Sequence, residues 1–207
     1  MFMYSKKIAI KHSLFKQGQL KRNQFKKDQL GFSLIEVMVA LFILVTGIIG
    51  AVAMQATAKQ GSFDAMQRSL ASSLTQDIIE RIRNNDVTVA TNVIASYANT
   101  NYGGLGLAVP SKRCDSLASL CTSAERVVND QYEWEQSLIG ANVKSSTNKN
   151  VGGLIGARGC IIVANHAVTV AVSWQGRRNT ADGANGGVTC GTSGSKRRQI
   201  VVQAFTF

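Results

Sequence analysis

Proline is nearly missing from this chain, with Pro110 the single example among 207 residues. Proline-rich extended segments are thereby excluded, and long stretches are free of the residue that most often breaks a helix. Histidine is almost as scarce, since only His12 and His166 occur. Neither has a nucleophile or a carboxylate arrangement near it in sequence, so no histidine-based catalytic constellation can be assembled from the pattern. The four cysteines show no C-x-x-C spacing and have no histidines beside them, which argues against a zinc site. No cofactor motif stands in for these absences. The Gly-rich stretch "GGLIGARGC" lacks both the spacing and the following Lys-Ser/Thr pair of a phosphate loop. Hydrophobic residues nevertheless make up 45% of the chain, too many for a disordered polypeptide.

Acidic residues are also in short supply, 12 against 23 Lys and Arg, for a net charge of +11. The excess is not spread evenly. Lys6, Lys7, Lys11, Lys16, Lys21, Arg22, Lys26 and Lys27 face Asp28 alone within residues 1–31, leaving about +4 for residues 32–207. A basic arm of this kind can bind nucleic acid, but here an apolar run adjoins it. Basic residues before an apolar span stay on the cytoplasmic side, so the chain from Gln55 onward is expected to be exported.

The apolar run extends from Val37 to Met54, 18 residues with Thr46 as the sole polar side chain. With Leu34 and Ile35 it reaches the roughly 20 residues that cross a bilayer as a helix. Gly47 and Gly50 are tolerated in such helices and permit close helix contact. Glu36 stands at its head, where a lone carboxylate costs about 2.5–3.5 kcal/mol on insertion scales and less near the interface. Two processing schemes compete. Cleavage after Ala51–Ala53 meets the small-x-small rule of a secretory signal, but it gives Glu36 no purpose. Cleavage between Gly31 and Phe32 keeps the apolar helix and makes Glu36 the fifth residue of the mature chain.

The stretch "GFSLIEVMVALFILVTGIIG" resembles the class III signal of type IV prepilins and the related pseudopilins, with Gly31, Phe32, Ser33, Leu34, Ile35 and Glu36 matching position by position. The resemblance implies that prepilin peptidase cuts after Gly31 and methylates the new amine of Phe32. It also implies that Glu36 pairs with the amino terminus of a neighbouring subunit as the helix leaves the bilayer for a fibre. An unpaired charge inside a packed bundle would cost several kcal/mol, so such pairing favours one register of docking.

Beyond Gln55, Phe63, Met66, Leu70, Leu74, Ile78 and Ile82 recur at intervals of three and four, a helical stripe that reads as core. Asp77 and Arg81 stand four apart in the favourable order. A single helix is expected from Phe32 to Asn84, about 80 Å long. The run "ERIRNN" (Glu80–Asn85) closes it and resembles a run in minor pilins of the PilV type, the type IV pilus modification proteins. The later stretches "CTSAERVVNDQYEWEQSL" and "VTVAVSWQG" are similar to that family as well. Where many of its members carry Leu-Pro-Gly-Gly, this chain has Leu138-Ile139-Gly140-Ala141.

Residues 86–123 read as loop, rich in Gly and Asn and holding Pro110. Thr122 and Glu125 form a capping-box pattern, so a short helix should follow, with Ala124, Val127, Trp134 and Leu138 on one side and Trp134 as a core residue. Asp130, Glu133 and Glu135 read as a solvated face of that helix, and "GGLIGARGC" as a turn region. Strict alternation in "HAVTVAVSWQG" predicts a half-buried strand with Val168, Val170, Val172 and Trp174 on one face. The final "RRQIVVQAFTF" predicts another. The Gly/Asn-rich loop Gly176–Ser195 would join them into an antiparallel sheet laid on the amphipathic half of the long helix. In an oxidising compartment four cysteines suit two disulfides, and Cys114–Cys121 with Cys160–Cys190 is the favoured pairing. The first closes a short loop and the second ties the hairpin loop to its strand.

The expected fold class is therefore α+β and pilin-like. Its parts are a cleaved basic leader (1–31), a transmembrane half-helix (32–54), an amphipathic half-helix (55–85) and a globular domain (86–207) outside the cytoplasm. The resemblance implies a minor pilin of a type IV pilus, not an enzyme, that passes from the inner membrane into the fibre and supports adhesion and twitching motility. Its implied partners are other minor pilins, the major pilin, prepilin peptidase, the inner-membrane assembly platform and a tip adhesin. A minor pseudopilin of a type II secretion system is the alternative within the same family. A DNA-binding minor pilin of an uptake pilus is the other, resting on a basic patch of Arg177, Arg178, Lys196, Arg197 and Arg198. No aromatic residues interleave with that patch for base stacking, so solvated loop charges are the preferred reading of it.

Overall fold

The computed structural model describes residues 31–86, 92–116, 120–164, 167–181 and 188–205. The basic leader through Leu30 and both histidines lie outside these residues. The chain divides into two compact units, one ending at Gly47 and the other beginning at Ile48.

The first element is a continuous helix, α1 (Leu34–Asp86). It starts where the Ser33 carbonyl accepts the amides of Glu36 (3.0 Å) and Val37 (3.3 Å). The polar hydroxyl of Thr46 is hidden against the backbone, donating to Phe42 O at 3.0 Å and Ile43 O at 2.9 Å, a local bond that makes threonine compatible with an apolar helix. Every side chain of α1 up to Ser62 is exposed, including the large apolar ones.

In the second unit α1 buries Ala71, Leu74, Ile78, Ile79 and Ile82. The expected stripe began earlier, at Phe63 and Met66, and this is corrected. Met66 is 57% exposed while Gln67 is buried. Gln67 takes the core-facing position because its amide serves a loop backbone, accepting from the Ile155 amide at 3.1 Å and donating to Gly153 O at 3.5 Å. The segment expected to be loop contains a one-turn helix, α2 (Asn92–Ala95), and a short strand, β1 (Asn99–Tyr102). Then comes α3 (Ser123–Ile139), opened by the full capping box of Thr122 and Glu125 and closed by Gly140 in the left-handed conformation. Gly140 has a second requirement for lacking a side chain, since a Cβ there would collide with the backbone of Gly153. Val127, Trp134 and Leu138 are buried as expected, whereas Ala124 is exposed. Trp134 donates its indole N–H to Leu74 O at 2.9 Å and meets Tyr102 edge-on at 5.0 Å, so it joins α1, α3 and β1.

The sheet has four antiparallel strands in the order β1-β2-β3-β4, where β2 is Arg158–Ala164, β3 Ala167–Gln175 and β4 Arg197–Phe205. Only β3 and β4 were expected. The first strand pairs irregularly with β2 and buries just Tyr102, so its sequence has no alternation to read. The region expected to be a turn is one up to Ala157, after which β2 begins. The half-buried reading of β3 is also corrected, because β3 is buried on both faces. Val168, Val170, Val172 and Trp174 enter the main core with α1. Ala171, on the other face, is covered by Cys160, Cys190 and Val188. The architecture is the α+β, pilin-like layout of a long N-terminal helix whose later part packs on a small antiparallel sheet.

Candidate functional site

At the head of α1, Phe32 is 82% exposed. Glu36 lies in the first turn, where the positive end of the helix dipole favours a carboxylate. No residue of the most apolar stretch of α1 is buried in this chain. Such a surface in water would cost far more than a folded domain can offset, so it needs lipid or other apolar helices around it. Glu36 is the single acid within this surface.

Farther along, α1 is tied to α3 by a polar cluster. The Arg81 guanidinium donates to Asp77 through Nε (3.1 and 3.0 Å) and through Nη1 to Asp130 (3.0 Å) and Glu133 (2.7 Å). Burial works against the Arg81 charge, but the hydrogen bond to Glu133, the charge of Asp77 and the hydrogen bonds to Asp130 and Asp77 outweigh it and raise its pKa. Burial likewise pushes Glu133 toward its neutral form, and the bonds from Arg81, Asn129 and Arg113 reverse this and hold it below the usual carboxylate range. Asn85, buried, donates to the Tyr97 hydroxyl at 3.1 Å and to Ser123 O at 3.1 Å. Tyr97 in turn donates to Asp130 at 2.7 Å, and its pKa is raised by burial and by the Asp130 charge. The run Glu80–Asn85 thus supplies two side chains, Arg81 and Asn85, that fix α3 to α1.

The expected solvated acidic face of α3 is not one. Asp130 and Glu133 belong to the Arg81 cluster, and Glu135 is 1% exposed. Its Oε1 accepts the amides of Gly103 (3.1 Å), Leu105 (2.8 Å) and Gly106 (3.2 Å), and its Oε2 that of Leu107 (2.8 Å). A buried carboxylate is tolerable when several donors surround it, and this one folds the glycine-rich loop around itself. Sequence reading missed the role of Glu135. The available signal was its position three residues before the buried Leu138, beside an upstream "YGGLG" whose amides need acceptors.

The disulfides are Cys114–Cys121 and Cys160–Cys190, the pairs that spacing favoured. Among the described residues no group of three or more His, Cys, Asp or Glu is placed to hold a metal.

The five cations grouped as a basic patch are treated differently by the fold. Arg178 and Lys196 are exposed. Arg177 lies over the Phe63 ring at 4.3 Å, and its amide donates to Asp64 at 3.2 Å. Arg198 donates to Asp64 at 3.0 Å. Arg197 is 3% exposed and donates to the carbonyls of Cys190 (2.7 Å) and Gly191 (2.5 Å). A single solvated patch is therefore not formed, because β4 begins at Arg197 and turns that side chain inward.

Residues 26–52 match the family described as the prokaryotic N-terminal methylation motif. No curated protein and no solved structure matches the chain. The motif supports a type IV pilin-like protein, a class of structural subunits that are processed by prepilin peptidase and assemble with other pilins. The long apolar helix beside it fits a membrane-anchored member of that class.

Proposed function

We propose that this chain is a minor pilin that enters the initiation or tip complex of a type IV pilus. The observation that carries the reading is Gly31, Phe32 and Glu36, in the family's spacing, heading an apolar helix whose side chains are exposed among the described residues. Prepilin peptidase cuts after Gly31 and methylates the Phe32 amine. The basic leader keeps the N-terminus cytoplasmic while the domain after the span is exported. Glu36 then accepts the amino terminus of a neighbouring subunit, which offsets the cost of its burial and selects the register. Other minor pilins, the major pilin and the assembly platform are its partners, with a tip adhesin above it, and adhesion and twitching motility are what the fibre supports.

The test is intact mass and N-terminal peptide mapping of the protein from membranes with an active prepilin peptidase. A mature chain beginning at N-methyl-Phe32, and recovered in the sheared fibre fraction, is the expected result. Recovery of that same mature chain from membranes but never from fibres would point to the secretion-system alternative. A soluble chain beginning at Met54 would end the assembly reading.

A further inference from the structure

Two of the arginines that the sequence grouped into a patch instead wall a pocket of about 200 Å³, together with Arg68 of α1. Its other walls are Trp174, Thr180, Ala181 and Gln199. Arg68 is exposed at the mouth, and Arg197 is fixed by the Cys190 and Gly191 carbonyls. Arg198 is oriented by Asp64, and Gly176 leaves room for it, since a Cβ there would lie 2.5 Å from Arg198 Nε. The Thr180 amide donates to Ser195 O at 2.6 Å, which fixes the rim. Three buried polar atoms of the wall have no hydrogen-bond partner: Trp174 Nε1, Arg198 Nε and Gln199 Oε1. Two of the three are donors. Among the described residues that line the pocket none is acidic.

Three arginines and a threonine around one small space make a donor-rich, positively charged lining. That chemistry recognises an oxygen-rich anion. The volume suits a tetrahedral group and excludes a nucleic-acid duplex. Trp174, 2% exposed, is not available as a stacking surface for bases. We propose that this pocket binds a phosphate- or sulfate-sized oxyanion, with Arg68 closing on it from the helix and the β4 arginines supplying fixed charge beneath. The site stands whether or not the chain is a pilus subunit.

The full chain in detergent is titrated with inorganic phosphate and then sulfate at constant ionic strength, chloride making up the balance, and followed by calorimetry and thermal unfolding. One saturable anion per chain and a raised Tm are expected. Arg68→Ala and Thr180→Ala should each weaken binding about tenfold, the equivalent of one charge-assisted hydrogen bond. Their anion-free unfolding serves as the fold check. Glycerol phosphate in place of phosphate separates the two sources of the group: tighter binding assigns the pocket to a phosphate borne on a larger molecule, weaker binding to the free anion. A phosphate response no greater than that to chloride overturns the proposal, as does binding that both variants retain. Salt-dependent binding of duplex DNA without a phosphate response overturns it too, and returns the arginines to a polyanion surface.

Discussion

Two glutamates of this chain stand where a carboxylate is costly, and each needs a different remedy. Glu135 finds its remedy within the chain, in four backbone amides between Gly103 and Leu107. In Glu135→Gln the side-chain NH₂ would face N–H groups and leave donors unsatisfied. The cost should be about 2–4 kcal/mol, read as a lower midpoint in denaturant and faster hydrogen exchange confined to the 103–107 amides. A variant as stable as the parent would show that the loop does not depend on this carboxylate. Glu36 has no such shell among the described residues, and its proposed partner lies in another subunit.

The titrating residues also give stability a defined dependence on pH. Glu133 has a depressed pKa, so its contribution is complete above the ordinary carboxyl range and is lost as pH falls through the depressed value. Tyr102 is shifted the opposite way, pushed up to about 12 by burial first and then by the Glu135 charge, against a hydrogen bond from Gln131. Its contribution is complete below the ordinary tyrosine value and disappears as pH rises through about 12. Urea midpoints measured across pH should therefore fall at both ends. Arg81→Met should flatten the acid limb, and an unchanged limb would remove Glu133 from the account.

At the scale of elements, the two disulfides act on loops of different length. Cys160–Cys190 spans 30 residues and Cys114–Cys121 spans 7. In the chain-entropy treatment, removing the first costs about 3–4 kcal/mol and removing the second about 2. The first pair also covers the outer face of β3 through Ala171, so its loss opens a core surface as well. Melting of the two double-alanine variants should rank them in that order, and the reverse order would mean that the outer face of β3 is held by other contacts. The strands themselves show why some elements were readable and others not. Alternation announced β3 and β4, whose register runs unbroken from Ala167↔Phe205 to Gln175↔Arg197. The first strand, "NTNY", has no such pattern and exists because the edge of β2 offers it hydrogen bonds.

At the scale of the whole molecule, the apolar surface of α1 and the folded core are separate matters. The large buried side chains begin at Leu74, and the first buried residue of α1 is Gln67. A chain starting at Gln55 should keep its sheet, both disulfides and a cooperative melt, and remain soluble without detergent. Circular dichroism and sedimentation would show it, and aggregation with loss of the melt would mean that the apolar half is needed for folding. The parent should require detergent or membranes, because the exposed side chains from Leu34 to Met54 are almost all apolar.

The sequence by itself determined the features that depend on local order along the chain. Near-absence of proline and an apolar span joined to an amphipathic stripe gave the long helix to within two residues at each end. The spacing of Gly31, Phe32 and Glu36 gave the candidate processing and pairing residues, and Thr122 with Glu125 gave the start of α3. Tertiary structure decided what depends on neighbours distant in sequence. It placed Gln67 inward and Met66 outward, because the 153–155 loop needed hydrogen-bond partners. It turned an acidic helix face into a buried clamp and an ion-pair cluster. It also drew Arg197 out of an apparent surface patch, since a guanidinium can be buried once carbonyls of a loop some six residues away accept its hydrogen bonds. Periodicity reports which face of an element is apolar, and only the packed fold reports which polar groups meet there.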